Sequence, residues 1–140
     1  MIREKVHEYL VMTLDFSVKG KVKVRIDDYV EKMIQNPPNK LKSKDMAIIP
    51  YGKNLVDNGN GKPLEKTQAG YLHTMVAKNM FLSKRARPDI QPTIYVFAIR
   101  VRSLNIIDWK KLVRVLKYLN GTRKYNLTLS INEMRVIKWY

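Results

Sequence analysis

The chain has 140 residues, with 27 lysines and arginines against 12 aspartates and glutamates, and its net charge of +15 favours a polyanionic partner, most commonly nucleic acid. It has no cysteine, which excludes disulfides and thiolate metal sites, and its two histidines, His7 and His73, lie far apart without a carboxylate cluster, so no metal site is expected. No apolar run approaches the roughly 18 residues of a membrane helix, so no membrane partner is expected either.

The first 26 residues predict an antiparallel β-hairpin. Its first strand is expected at 9–16, with four apolar side chains on one face: Leu10, Met12, Leu14 and Phe16. Gly20 supplies the turn. In the second strand cations alternate with aliphatic residues, so one face is basic and the other apolar. The cations are Lys21, Lys23 and Arg25, and the aliphatic residues are Val22, Val24 and Ile26.

Residues 27–124 predict a helical region with a loop at 41–66. Asp27 or Asp28 is expected to cap the first helix, Thr67 the second and Asp108 the helix beginning near 108. Gly121 is expected to end that last helix. Its apolar stripe consists of Trp109, Leu112, Val113, Leu116 and Leu119.

The segment 93–102, "TIYVFAIRVR", fits two kinds of structure. Its β-branched content and its alternation with Arg100 and Arg102 favour a strand, but its apolar residues also fit a helical stripe, and periodicity does not decide between them. Residues 125–140 predict two short strands forming a C-terminal hairpin. The expected fold class is therefore α+β: an N-terminal β-hairpin, a helical bundle and a C-terminal short β-hairpin. The last strand runs to the final residue, so we expect an excerpt of a longer frame.

Three separated motifs are similar to those of one family. The first is the hairpin with the helix after it, "YLVMTLDFSVKGKVKVRIDDYVEKMI"; the second is "RARPDIQPT"; the third is "RVLKYLNGT", from Arg114 to Thr122. In this order and at these spacings they resemble the back half of a copia-type LTR-retrotransposon reverse transcriptase, from the primer grip through the thumb to the start of RNase H. The resemblance covers nearly the whole chain.

The resemblance implies a role for each part. The hairpin corresponds to the primer grip, which holds the 3′ end of the primer over the catalytic aspartates, and the helices correspond to the thumb, which packs on the template-primer backbone. The grip candidates are Tyr9, Leu10, Val11, Met12, Lys21, Lys23 and Arg25. The candidates for contacts with the nucleic-acid backbone are Lys84, Arg85, Arg87, Lys110, Lys111, Arg114, Lys117, Arg123 and Lys124.

The resemblance also implies what this sequence lacks. The polymerase carboxylates of the family, in a Tyr-Val-Asp-Asp turn, lie upstream of the hairpin, and its RNase H aspartate follows the strand matched by "VIKWY". We therefore expect no catalytic residue, cofactor or small-molecule ligand here, and Mg²⁺ belongs to the parent RNA-directed DNA polymerase. The expected partners are an RNA–DNA or DNA duplex and the rest of the Pol polyprotein, in a cytoplasmic virus-like particle or the nucleus.

Simpler interpretations stay open for these residues. The cations of the second strand and of the last helix also suit a solvent-facing surface, and Arg87 can pair with Asp89 to fix a loop. Asp27-Asp28 is interpreted as a helix cap rather than a metal pair. Val11 stands where the family has a glycine. Glycine at that position lets the backbone approach a sugar-phosphate closely. For the whole chain, two alternatives are a stand-alone basic nucleic-acid-binding protein and a non-functional retroelement relic.

Overall fold

The computed structural model describes residues 4–35, 44–57 and 59–131. Within these residues a four-stranded antiparallel sheet packs its apolar face against helices, which is the predicted α+β class. The strands are β1 (Val6–Tyr9), β2 (Met12–Asp15), β3 (Lys21–Arg25) and β4 (Leu127–Ser130). The helices are α1 (Asp27–Gln35), α2 (Lys66–Arg85), α3 (Gln91–Ile99) and α4 (Ile106–Gly121), with a 3₁₀ turn at Pro88–Ile90.

The predicted hairpin is present as β2 and β3. The strands pair antiparallel, with Leu14 opposite Val24, and Gly20 in the connection has a φ of 75°, in the left-handed region that glycine adopts without strain. The predicted alternation along β3 is confirmed, because Val24 and Ile26 are buried whereas Lys21 and Lys23 are exposed.

The prediction of a single strand over residues 9–16 is wrong at its beginning. The chain reverses at Leu10 and Val11, whose φ values are 46° and 70°, and β1 pairs back onto β2 with Tyr9 opposite Met12. Two-residue hairpin turns with positive φ at both central positions normally carry Asn-Gly or Asp-Gly. With Leu-Val there, the apolar run gives no sign of the turn.

Strand β4 joins the two ends of the chain in one sheet. It pairs antiparallel with β3, with Val22 opposite Leu129 and Val24 opposite Leu127, so that the sheet order is β1-β2-β3-β4. The C-terminal hairpin was predicted to consist of this strand and a second one after Asn132. That second strand lies outside the described residues.

Three of the predicted helix caps are displaced by a few residues. Helix α1 begins at Asp27 itself, so both aspartates lie in its first turn, where negative charge is favourable. Helix α2 already includes Thr67. In α4 the cap is Asn105, whose Oδ1 accepts hydrogen bonds from the backbone of residues 107 and 108, while Asp108 Oδ2 accepts from Asn105 N at 2.9 Å. Asp108 is therefore the second member of a capping box.

The other end of α4 and the ambiguous segment are also resolved. Gly121 belongs to α4, and the helix is followed by Thr122, so the prediction that Gly121 stands just outside the helix is wrong.

The first seven residues of 93–102 are helical, in α3. Ile94 and Phe97 are fully buried on one face of α3, which is the spacing of the helical alternative.

One apolar core joins the sheet to every helix of the described region. Its members come from β3 and the residue after it, from α1 to α4, and from the segments between the helices. They include Val24, Ile26, Val30, Met33, Leu72, Met75, Leu82, Ile90, Ile94, Phe97, Leu112, Leu116 and Leu119. The predicted stripe of α4 is confirmed, with Val113 only half-buried.

Candidate nucleic-acid interface

One basic surface is the outer face of β3, formed by Lys21, Lys23 and Arg25. Alternate residues of a strand lie on the same side about 7 Å apart, so the three cations form a row. Short polar side chains flank the row: Thr13 lies opposite Arg25, and Thr128 and Asp15 lie opposite Lys23. Lys21 and Lys23 are exposed and Arg25 is half-buried, so the row is open to a ligand as large as a phosphate backbone.

Asp15 places a negative charge on this face, opposite Lys23, and Glu8 of β1, opposite Thr13, places a second one further from the row. The pKa of Asp15 is lowered from the usual value, first by hydrogen bonds from Ser17, including one from the backbone N at 2.9 Å, and further by the charges of Lys23 and Arg25. The carboxylate is therefore ionised at neutral pH and partly offsets the basic row.

Four of the grip candidates lie in or beside the turn between β1 and β2, which we call the tip. Tyr9, Leu10 and Val11 are exposed there, and Met12 is half-buried. A cleft of about 350 Å³ lies beside the tip and is also lined by Lys32 of α1. Val11 has a φ of 70°, which is strained for a β-branched residue. A glycine would adopt this turn conformation without strain.

The cations of α4 divide into free and engaged side chains. Lys111 donates from Nζ to the carbonyl oxygens of Leu55 at 2.8 Å and Asp57 at 2.6 Å. Arg114 donates from Nε to the Ile49 carbonyl at 3.3 Å. These two candidates hold the loop of residues 44–57 against α4, which the sequence did not predict because the loop has no periodicity. Lys110 is exposed and Lys117 half-buried on the same helix.

Arg87 is buried in a network with Asp89. Its side chain is 2% exposed, and its Nε and Nη2 donate to the two carboxylate oxygens of Asp89 at 3.0 and 2.8 Å. It also donates to the backbone oxygen of Thr122 at 3.0 Å and to its hydroxyl at 2.7 Å. The predicted pairing of Arg87 with Asp89 is confirmed, and the proposed interface does not include Arg87.

The same network joins two of the sequence motifs in space. Tyr118 donates its hydroxyl hydrogen to Asp89, which connects "RPD" to "YLNGT". Burial acts to raise the pKa of Asp89, but the hydrogen bonds from Arg87 and Tyr118 and the Arg87 charge outweigh it, so the pKa is lowered. Burial and the hydrogen bond to Asp89 raise the pKa of Tyr118 to about 12. These motif residues are therefore structural in this chain.

The remaining candidates lie at helix ends. Lys84 and Arg85 occupy the last turn of α2, both exposed, and the Arg85 guanidinium lies over the Phe81 ring at 5.2 Å. Arg123 donates to Asn120 Oδ1 and lies 3.5 Å from Glu31 of α1. Lys124 is exposed.

Asp27 and Asp28 are in the first turn of α1, and no group of three His, Cys, Asp or Glu side chains suited to a metal ion occurs in ranges 4–35, 44–57 and 59–131. None of the helices in these ranges is long and apolar enough to cross a membrane. Comparison of the chain with protein-family models, curated proteins and solved structures found no match.

Proposed function

We propose that the chain is the primer-grip and thumb portion of a copia-type reverse transcriptase and that it holds a primer–template duplex by its backbone. The observation that carries the proposal is the row of Lys21, Lys23 and Arg25 on the outer face of β3, with Val24 and Ile26 buried on the other side. Contacts with phosphates position a duplex without reading its sequence. A polymerase that copies any template needs contacts of this kind.

The role of such a row is positional rather than chemical. Holding a reacting primer end in place lowers the barrier of the reaction that follows, although the holding groups take no part in it. The carboxylates that would act on the primer are not in this sequence. We therefore expect the purified 140-residue chain not to extend a primer. Extension above a protein-free control would contradict the assignment.

The salt dependence of duplex binding tests the basic row. We would measure the affinity for a fluorescein-labelled RNA–DNA duplex across a series of salt concentrations, for the natural chain and for a K21Q/K23Q/R25Q variant. Each phosphate contact contributes about 0.9 to the slope of log affinity against log salt. Loss of three contacts should therefore flatten the slope by roughly 2.7.

A charge-matched control separates contacts from net charge. Lys62, Lys66 and Lys78 are exposed and none of them lies on β3. A K62Q/K66Q/K78Q variant removes the same three charges and should leave the slope close to that of the natural chain. Equal flattening in both triple variants would show that only overall charge matters and would refute the strand-face interface.

The helix α4 contribution is tested separately. Four candidates for contacts with the nucleic-acid backbone lie on this helix: Lys110, Lys111, Arg114 and Lys117. Since Lys111 and Arg114 are engaged by the loop, the K110Q/K117Q variant removes the other two cations without disturbing those contacts. A slope flattened by about 1.8 would add α4 to the interface, and an unchanged slope would make these cations a solvent-facing surface.

A stand-alone nucleic-acid-binding protein is the second candidate, favoured by the single core that joins β3 to all four described helices. Such a core predicts cooperative unfolding of the isolated chain, whereas a relic is expected to aggregate. Sequencing the genomic DNA and the transcript on both sides of the frame distinguishes the first candidate from the second. An upstream Tyr-Val-Asp-Asp frame in register supports the polymerase fragment, and stop codons there contradict it.

A further inference from the structure

A second basic site lies in a cleft between the loop and α4. The cleft has a volume of about 470 Å³ and is lined by loop residues 50–55, by Thr93 of α3 and by one face of α4. This volume is in the range of small-molecule sites, about 300–1,000 Å³. Its walls are partly apolar, with Pro50, Leu55 and Ile107 among the lining residues.

The charged residues of this lining are all cations. Lys53, Lys110, Lys111 and Arg114 line the cleft, and its described lining contains no Asp or Glu. Lys111 and Arg114 are anchored to loop carbonyls at 2.6–3.3 Å, which fixes part of the positive charge at the wall. Lys53 and Lys110 are exposed and have no ion pair within the described residues. A cleft of this kind selects an anion.

Thr93 adds a polar group to this wall. The residue is 0% exposed, and its Oγ1 has no hydrogen-bond partner among the described residues. Buried hydroxyl groups are nearly always hydrogen-bonded, so an unpaired one calls for an explanation. A ligand with acceptor oxygens that displaced the atoms covering Thr93 would supply a partner.

We propose that the cleft binds a phosphate monoester carried on an apolar or aromatic body of mononucleotide size. The phosphate would meet Lys110 and Arg114, and the body would lie against the apolar wall. The sequence alone predicted no small-molecule ligand. This proposal is independent of duplex binding by β3. The same chemistry is offered by a free nucleotide and by the 5′-phosphorylated end of a nucleic-acid strand.

Titration of the ¹⁵N-labelled full chain with AMP, followed by NMR, tests the site. We expect AMP to shift the amide signals of Gly52, Asn54 and Thr93, and adenosine to leave them in place. The K110Q variant, which breaks no described contact, should weaken AMP binding by about tenfold, the typical effect of losing a charged hydrogen bond. The K78Q variant should bind AMP like the natural chain. Absence of AMP binding, or equal binding by AMP and adenosine, would overturn the proposal.

Two further variants locate the site. T93V removes the buried hydroxyl with little change of shape; it should weaken AMP binding without lowering the melting temperature. AMP affinity unchanged in both T93V and K110Q would refute the site. The K21Q/K23Q/R25Q variant should retain AMP binding even if duplex binding is lost, and parallel loss of both would show that the cleft is not a separate site. Tighter binding of a 5′-phosphorylated oligonucleotide than of AMP assigns the site to strand ends, and the reverse order assigns it to free nucleotides.

Discussion

Replacement of Val11 by glycine should stabilise the protein, although glycine usually destabilises. Val11 has a φ of 70° in the turn between β1 and β2, and its side chain is 62% exposed. A left-handed backbone costs an L-residue roughly 1–2 kcal/mol, and β-branched side chains are among the least tolerant. Glycine adopts the same φ without this cost.

The expected gain is small because two losses oppose it. Glycine has more conformational freedom than valine in the unfolded chain, and losing this freedom on folding costs about 0.5–1 kcal/mol. Removing a mostly exposed valine side chain loses a further ~0.7 kcal/mol of burial, about a third of the value for a fully buried valine. With about 2 kcal/mol of strain relieved, V11G should be more stable than the natural chain by about 0.5 kcal/mol.

The matched control is Val18→Gly. Val18 lies in the connection between β2 and β3, is 48% exposed, and is not among the described residues with positive φ. It offers no strain to relieve, so V18G should be destabilised by about 1.5 kcal/mol through the same two losses. The predicted difference between the two variants is therefore about 2 kcal/mol, which is the strain relieved in V11G alone.

Urea unfolding followed by circular dichroism measures this difference. Equal m values in the three proteins would show that the free energies are comparable. If V11G loses as much stability as V18G, the turn does not strain Val11, and the conformational reason for glycine at this position is wrong. The duplex affinity of V11G, measured on the same protein preparation without urea, then shows whether glycine at position 11 allows a closer approach of the backbone to a sugar-phosphate.

Four further predictions concern the charged residues. Arg87→Met should cost about 2–3 kcal/mol of unfolding free energy, because it leaves the half-buried Asp89 carboxylate without its partner. The folded-state pKa of Asp89 is lowered, so its ionised carboxylate stabilises the fold above pH ~4, and this stabilisation is lost as the pH falls further. D89N should therefore lose less unfolding free energy between pH 5 and pH 2 than the natural chain. An equal loss in both proteins over this pH range would contradict the prediction. Asp15→Asn should tighten duplex binding about two- to fivefold at low salt by removing the negative charge on the basic row, and weaker binding would argue against contact at β3. Lys111→Met should release the loop, seen as faster proteolysis within 49–57 and a loss of about 1–2 kcal/mol, and unchanged cleavage would show that the two carbonyl contacts do not hold it.

Local patterns predicted most of the secondary structure of this chain. The alternation of β3 and the stripe of α4 appear in the structure because each pattern reflects a single burial direction. The reversal at Leu10 and Val11 was missed because its φ values are imposed on residues that do not favour them. The segment 93–102 stayed ambiguous because Phe97 and Val101 belong both to the strand alternation and to the helical stripe; the exposed Ile99 and buried Ile94 of the structure fit only the helix.

Tertiary contacts of the candidate site were not predictable in the same way. Lys111 and Arg114 read as outward cations of an amphipathic helix, but they bind carbonyl oxygens more than 50 residues away along the chain. Every residue has a backbone carbonyl oxygen, so the sequence does not indicate which of these oxygens will accept a hydrogen bond. The contact of Arg87 with Thr122 is of the same kind, although the presence of both motifs could have suggested it.

The net charge of +15 therefore overstates the charge available to a nucleic acid. Several cations are held by acceptors of the protein itself: Arg87, Arg100, Lys111, Arg114 and Arg123. A cation that keeps its protein partner releases no counterion from a duplex, so it adds nothing to the salt slope. The three cations of β3 set a slope of about 2.7 for that face alone. A steeper slope in the natural chain requires a second surface, and Lys110 and Lys117 of α4 are the first to test.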